Sequence, residues 1–536
     1  MASTTQSPPA SLLGLTPELQ ADILRLLMPS SVNPLQNVLL VCKQLHEVAL
    51  PLSVHTFRNV QVGNVFEPLM IPSRRLKFLR YVTITKPSLA RHVKRLIFDD
   101  FTTRALDDLE TTLPQYTDKD LETYKKLVRR TTDDENWRRE WLHDFSESIG
   151  DAELAMILVA CPNVQQLLFG EPYKPVHVLR VIEVAKQRHR DVLRQINITE
   201  RTMPLTNLKE VYHESTDEKD GYIYWSEFAT AFQLPSLRSY ECIKAHGSNS
   251  SAAHFKRIPR RSSNVDTIYL RRSCITRKVA RGILGACKAL RRFEYSRGLE
   301  WLCEDELMPA DLLDALLPHA NTLEYLHVNF DDDAAKTGWG SAPDRVFMGV
   351  GLRQMTALRH LVVGMQALTG LLDHLPEDPW DEVMSLEVED APRLVQCLPR
   401  GLEHLEIHGC GNAIQPQAQE LLALIEQGEE FPNLRRVRFL FVGENIEQSD
   451  VYLSCTLPRV RLEIVYQEKP NRRYDLIERS WGECGLIESI CTRIYSFGSR
   501  ERWLKYRGSN QGWATAERGV FFEPGGVPPH AWEEMP

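Results

Sequence analysis

One short pattern returns along most of the chain: an apolar residue, two free positions, an apolar residue, one free position, and an apolar residue. It reads Phe57-Val60-Val62, Val93-Leu96-Phe98, Val164-Leu167-Phe169, Leu208-Val211 and Leu237-Tyr240-Cys242 in the first half. It continues as Val265-Ile268-Leu270, Leu290-Phe293-Tyr295, Leu323-Leu326-Val328, Leu358-Leu361-Val363, Val383-Leu386-Val388, Leu402-Leu405-Ile407 and Leu434-Val437-Phe439, with RVRLEIVY as a weaker last copy. One such hexamer is a common accident. A succession that advances by roughly 20 to 35 residues from Leu208 to Leu434 is the mark of a repeat array.

Amphipathic helices stand between the copies. Leu154, Ile157, Leu158 and Cys161 mark one, and Val279, Ile283, Ala286, Cys287 and Leu290 another; PADLLDALLPHA and AQELLALIEQ repeat the design. A strand followed by a covering helix leaves an apolar face open to the next pair, so stability comes from stacking. The hexamer is the strand signature of a leucine-rich repeat, and the fold it predicts is α/β: an irregular solenoid with a curved parallel sheet and outer helices over residues 56–470. Cys410 and Ser273 fit the residue that bonds the turn after each strand; most copies lack one. A polar helical insertion at about 100–150, where Trp137, Trp141, Leu142 and Phe145 suit docking on the flank, interrupts the array, and residues 246–263 read as a loop. A tryptophan-rich tail, 471–536, follows and is expected to be partly disordered.

Ahead of the array, residues 12–55 read as a small helical domain. Thr16 with Pro17, and Asn33 with Pro34, are two cap-then-proline starts. Leu19, Ile23 and Leu27, widened by Leu24 and Leu26, form the first apolar stripe; Leu35, Val38, Leu39, Cys42 and Leu45 form the second. Two helices so short carry more apolar side chains than they can hide in each other. On spacing alone, a cap on the solenoid and a partner-binding module are equally good readings. The segment resembles an F-box on Leu15, Glu18, Leu19, Ile23, Leu24 and Leu27, the Asn-Pro-Leu start of the second helix, Val41-Cys42-Lys43 and His46. It departs from that family at Thr16, where proline usually follows the first leucine, and in the connector MPSSVNP. The irregular repeats, especially SSNVDTIYLRRSCI and ILGACKALRRFEYSRGLEW, also resemble the C-terminal regions of fungal F-box proteins. The resemblance implies that Leu15, Pro17, Glu18, Leu19, Ile23, Leu24, Leu27, Leu35, Val38, Val41, Cys42, Lys43 and Leu45 meet a Skp-type adaptor. Through it the chain would join a cullin-RING (SCF-type) ubiquitin ligase as the receptor for a client protein. The alternative is a non-catalytic repeat scaffold unrelated to ubiquitin transfer.

A net charge of -8 provides no basic field for nucleic acid. No run approaches the roughly 18 apolar residues of a membrane span, and the start MASTTQSPPASLLG lacks a signal-peptide pattern, so a cytoplasmic or nuclear protein is expected. The eleven cysteines form no zinc-type spacing, and most, such as Cys161 and Cys287, read as reduced apolar residues. The stretch TDEKDGYIYWSEF imitates a calcium loop with Asp220, Gly221 and Glu227, but Thr216 stands where the first aspartate belongs. The acidic run at 331–333 reads as solvated. With no HExxH pair, nucleophile elbow or phosphate loop, neither catalysis, metal nor cofactor is expected.

What remains is surface. The free positions of the strands carry Tyr269, Arg271, Arg292, Glu294, Tyr325, His327, Glu406, Arg436 and Arg438, a face of alternating sign on the concave side expected to hold the client. Arg260, Arg261, Arg271 and Arg272 form a second cluster, suited to an acidic or phosphorylated motif.

Overall fold

A computed structural model describes residues 12–26, 34–59, 72–98, 116–147, 149–170, 176–194, 203–214, 223–249, 251–298, 307–330, 345–371, 390–428, 430–442, 453, 460–467 and 492–497. Contacts divide the chain into two units, 1–221 with 230–238 and 222–229 with 239–536, a boundary that falls inside the array.

The first unit opens with α1 (Pro17–Arg25), α2 (Pro34–Leu39) and α3 (Lys43–Ser53). Spacing predicts two helices here, and the second is broken. The amides of Leu40 and Val41 bond back to the carbonyls of Asn37 and Val38 at 3.1 and 3.2 Å, tight turns that end α2 before Lys43 begins α3. Thr16 has the extended conformation of a cap and Pro17 follows it, but the Thr16 hydroxyl accepts no capping hydrogen bond from the helix. Pro17 at the first helical position and the acidic Glu18 in the first turn start α1.

There follow β1 (Thr56–Asn59), α4 (Pro72–Arg80), β2 (Arg95–Phe98), α5 (Asp118–Thr131), α6 (Glu135–Ser146), α7 (Gly150–Ala160), β3 (Gln166–Gly170), α8 (Val176–Leu193) and β4 (Glu210–Glu214). The four strands pair in chain order, all parallel. Their register aligns Phe57, Leu96, Leu167 and Val211 in one column, and Phe98, Phe169 and His213 in the next, all buried. The repeat spacing therefore becomes a ladder of stacked side chains, each worth about 1.5–3 kcal/mol on burial.

His213 stands where the pattern calls for an apolar residue. Its ring stacks on Phe169 at 4.3 Å, and burial pushes its pKa down to about 3. Below the ordinary 6.5 the unfolded chain therefore binds a proton that the folded one refuses, and stability falls as pH drops from there toward 3. His213→Leu is expected to flatten this acid limb. Melting the two proteins side by side between pH 7 and pH 4 checks it, since the variant's advantage must grow as pH falls.

Helix α7 is buried on nearly all sides, with α4, α5, α6 and α8 packed around it. Its two acidic residues survive burial because each has a fixed partner. Asp151 accepts the amides of His177 (2.6 Å) and Val178 (3.1 Å) at the start of α8, capping that helix. Glu153 pairs with buried Arg75 of α4 at 2.6 Å. The insertion is the pair α5 and α6, begun by a capping box between Thr117 and Asp120 and by Asp134 as N-cap. Trp137, Trp141 and Phe145 are buried, while Leu142 is half-buried. Trp137 donates its Nε1–H to His177 Nδ1 at 3.1 Å, which leaves the ring proton on Nε2, facing Asp144 at 2.8 Å. Trp141 donates to the Ala152 carbonyl at 3.0 Å.

The second unit contains β5 (Ile223–Tyr224), β6 (Ser239–Ile243), β7 (Ala245–Gly247), α9 (Ala252–Lys256), β8 (Thr267–Ile275), α10 (Arg277–Ala286), β9 (Arg292–Arg297), α11 (Pro309–Leu316) and β10 (Tyr325–Asn329). After these come β11 (His360–Gly364), α12 (Met365–Thr369), α13 (Leu394–Cys397), β12 (His404–Cys410), α14 (Gln415–Gln427), β13 (Arg436–Val442), β14 (Arg461–Gln467) and β15 (Thr492–Phe497). Strands β6, β8, β9, β10, β11, β12, β13 and β14 form a parallel ladder in that order. Two buried columns cross it, from Tyr240 through Phe293 and Leu405 to Leu462, and from Cys242 through Tyr295 and Ile407 to Ile464. RVRLEIVY, the weakest copy, is β14. The copy expected at Val383–Val388 falls outside the described residues, and β11 bonds β12 directly. So do Val60, Val62, the calcium-like ligands Thr216 and Asp220, the acidic run 331–333, and the tail apart from β15.

Ser273 and Cys410 take the turn-bonding role. The Ser273 hydroxyl donates to the Arg271 carbonyl at 2.9 Å and accepts the Ala245 amide at 3.0 Å; Cys410 Sγ donates to the Ile407 carbonyl at 3.2 Å. The stretch 246–263 is not simply a loop: it holds the end of β7 and helix α9, whose Phe255 is buried. Gly282 of α10 makes this possible, because a Cβ there would lie 2.8 Å from the Cβ of Phe255. Burial raises the thiols of Cys161 and Cys287 to about 12, as suits inert apolar residues, whereas Cys274 departs from that reading and is disulfide-bonded.

Candidate interaction surfaces

The N-terminal helices sort their apolar residues into two sets. Leu24, Leu35, Ala49 and Leu52 form an internal core, with Ala21, Val38, Leu39 and Val48 packed on it. Gln20, also buried, ties the preceding turn down by donating to the carbonyls of Leu12 and Leu15, both at 3.0 Å. The second set faces outward. Leu19 and Ile23 on α1 and Leu26 at its C-cap lie at i, i+4 and i+7, exposed by 50, 41 and 79%, and Leu40 and Val41 at the turn after α2 are exposed by 85 and 67%.

Of the residues assigned to adaptor contact, Pro17, Glu18, Leu19, Ile23, Val41 and Lys43 are exposed, and Leu15, Val38 and Cys42 are half-buried. Leu24, Leu35 and Leu45 are corrected: they are buried inside the chain and offer nothing to a visitor. Leu27 lies outside the described residues. Leu40, outside the set that the resemblance implies, also lies on the outer face. Its signal is the run Leu39-Leu40-Val41, three apolar neighbours that no single helix face can hide together.

On the second unit, the open side of the sheet is a network rather than a row of free charges. Arg271 donates to Glu241 at 2.5 Å and twice to Glu294, at 2.5 and 3.0 Å, and its guanidinium lies 5.4 Å from the Tyr269 ring. Glu294 faces His327 at 3.8 Å, whose ring meets His408 edge-on at 6.0 Å. His408 bonds Glu406 at 2.7 Å, Glu406 faces Arg438 at 3.3 Å, and Glu463, buried, gathers Arg436, Arg438 and Arg461 at 2.8, 3.7 and 2.6 Å. Burial opposes the charge on Glu406, but the hydrogen bond from His408 and the charge of Arg438 outweigh it and draw the carboxyl down to about 2. Burial lowers the pKa of His327 against the pull of Glu294, so its ring is neutral at neutral pH.

A second row runs beside the first. Arg292 lies 4.7 Å over the Tyr325 ring and donates to the Tyr269 hydroxyl at 2.9 Å; His360 and His404 stack at 4.5 Å. Burial, then the charge of Glu294, raises the Tyr325 hydroxyl to about 12, and burial lowers both imidazoles. The nine residues expected on this face are thus all on it, yet the alternation of sign is largely spent internally. Glu241, His360, Arg461 and Glu463 occupy the same free positions and belong to this face as well. The cluster Arg260, Arg261, Arg271 and Arg272 does not act together, since Arg271 is taken by glutamates and Arg261 donates to the Pro318 carbonyl at 3.4 Å.

Among the described residues no group of three or more histidines, cysteines or carboxylates could hold a metal ion, and no helix is long and apolar enough to cross a membrane. Parallel strands stacked in register, each followed by a covering segment, define an α/β repeat protein. The family model for the leucine-rich repeat domain matches residues 75–453, and the chain belongs to that family. Domains of this kind are typically non-catalytic interaction modules, a role consistent with the paired, water-facing sheet. The match begins after the N-terminal helices, and no curated protein matches the chain.

Proposed function

We propose that the chain is the client receptor of a ubiquitin ligase, its N-terminal helices docking on a Skp-type adaptor while the repeats hold a protein client. The observation that carries this reading is the outward stripe of Leu19, Ile23 and Leu26 with Leu40 and Val41 beside a core that is already complete without them. Apolar residues of this size, grouped and left in water beside a satisfied core, mark an interaction site. A mere cap on the array would turn that stripe inward. The residues that resemble an F-box supply the identity of the partner. The chain itself does no chemistry in this scheme: holding a client near a conjugating enzyme raises effective concentration, and that is the whole of its contribution.

Mixing the purified chain with a purified Skp-type adaptor and passing the mixture through a sizing column tests it. A co-eluting complex is expected, and Ile23→Asp or Leu26→Asp should abolish it without changing the melting curve, because neither side chain belongs to the core. A chain that elutes apart from the adaptor refutes the ligase role and leaves the repeat scaffold.

A further inference from the structure

The second row on the open face of the second unit has a property the first lacks. In register from β9 to β14 it presents Arg292, Tyr325, His360, His404, Arg436 and Arg461, with no carboxylate among them. Among the described residues, no carboxylate pairs with Arg292. At the other end, Arg436, Arg438 and Arg461 crowd one buried glutamate, and the outer two keep 42 and 60% of their side chains in water. The acidic groups of the adjoining row are occupied: Glu241 and Glu294 by Arg271, and Glu406 by His408 and Arg438. A visitor therefore meets guanidinium groups at both ends and flat rings between them.

We infer that this row is a docking strip for an extended acidic segment of a protein partner. The five strand-to-strand steps between Arg292 and Arg461 span about 24 Å at roughly 4.8 Å each, the length of about seven extended residues. Carboxylates of the partner pair with Arg292 at one end and with Arg436 and Arg461 at the other. Amide and apolar groups between them lie over Tyr325, His360 and His404, rings that give contact area at little entropic cost. The row just outside the strip alternates Arg291, Glu324, Arg359 and Glu403, with ion pairs of 4.0 and 2.8 Å, so its charges are already compensated and the positive excess is confined to the two ends of the strip, where carboxylates on one peptide segment can reach it.

The inference rests on the partner-holding reading of the repeats and is independent of the adaptor. Fluorescein-labelled decaglutamate, titrated against the full-length chain in low salt and followed by anisotropy, is the probe. Saturable binding is expected. Arg292→Ser with Arg461→Ser should weaken it about tenfold, equivalent to about 1.4 kcal/mol, while Arg281→Ser with Arg393→Ser, exposed arginines off the strip, should leave it unchanged. Melting curves confirm that both variants are folded. Absence of binding, equal loss in the two variants, or displacement by a single-stranded DNA dodecamer as readily as by unlabelled decaglutamate would overturn the strip. None of these results bears on whether the adaptor is captured.

Discussion

Arg75→Ala is expected to cost the first unit about 3–5 kcal/mol, because it strands a carboxylate with no access to water. Glu153 is fully buried and Arg75 nearly so, and the 2.6 Å pair between them joins α4 to α7. Burial raises the Glu153 pKa against the pull of Arg75, to about 7, above its ordinary 4.5. The folded chain thus keeps a proton on Glu153 that the unfolded chain releases, so this group's contribution to stability is fullest below about 4.5 and is lost as pH rises through about 7. Removing Arg75 takes away the only pull against burial, raises that pKa further and carries the decline to higher pH, so the penalty should be larger at pH 8 than at pH 5. Arg75→Met with Glu153→Leu should recover most of the loss, since burying two apolar side chains avoids the desolvation of both charges. Hydrogen exchange across residues 150–160, read by mass spectrometry at the two pH values, checks both statements. Unchanged protection in Arg75→Ala would mean that the pair contributes nothing.

Trp141→Ala should cost about 3–5 kcal/mol by the cavity it leaves. The indole is wholly buried, stacked on Trp137 at 5.2 Å and on His177 at 5.9 Å, and its Nε1–H bonds the Ala152 carbonyl. Trp141→Phe keeps most of the packing and loses the hydrogen bond, for about 1 kcal/mol. If α6 is held to α7 and α8 mainly through this ring, exchange protection should drop first in residues 135–146 of the alanine variant. Equal melting temperatures for the two variants would contradict the cavity argument.

Much of this fold is legible because the apolar hexamer has strand periodicity and its copies stack. Leu326 and Val328 align with their counterparts on both neighbouring strands, as the pattern requires. Three features escape for identifiable reasons. The break at Leu40–Cys42 hides because Leu35, Val38, Leu39, Cys42 and Leu45 also satisfy one unbroken helix, and only backbone turns distinguish the two. Glu294 reads as a free surface acid because sequence alone does not show that Arg271 comes from the strand beside it. His213 occupies an apolar slot as a neutral ring, which polarity alone would refuse.

Spacing shows that the N-terminal helices carry surplus apolar residues but not which of them stay outside, for a related reason: periodicity says which side chains share a helix face, not whether the chain itself covers that face. Leu24 and Ile23 are neighbours of similar hydrophobicity, and one lies inside while the other meets water.

Parallel strands propagate readily, since each finished pair offers a bare edge of amides and carbonyls to the next. Strand β15 runs antiparallel along β14, from Leu462 opposite Phe497 to Gln467 opposite Thr492. By reversing direction it occupies the edge of β14 that a further parallel copy would need, so the repeat ladder stops there and, among the described strands, the outer edge is that of an antiparallel strand on which the parallel pattern has no continuation.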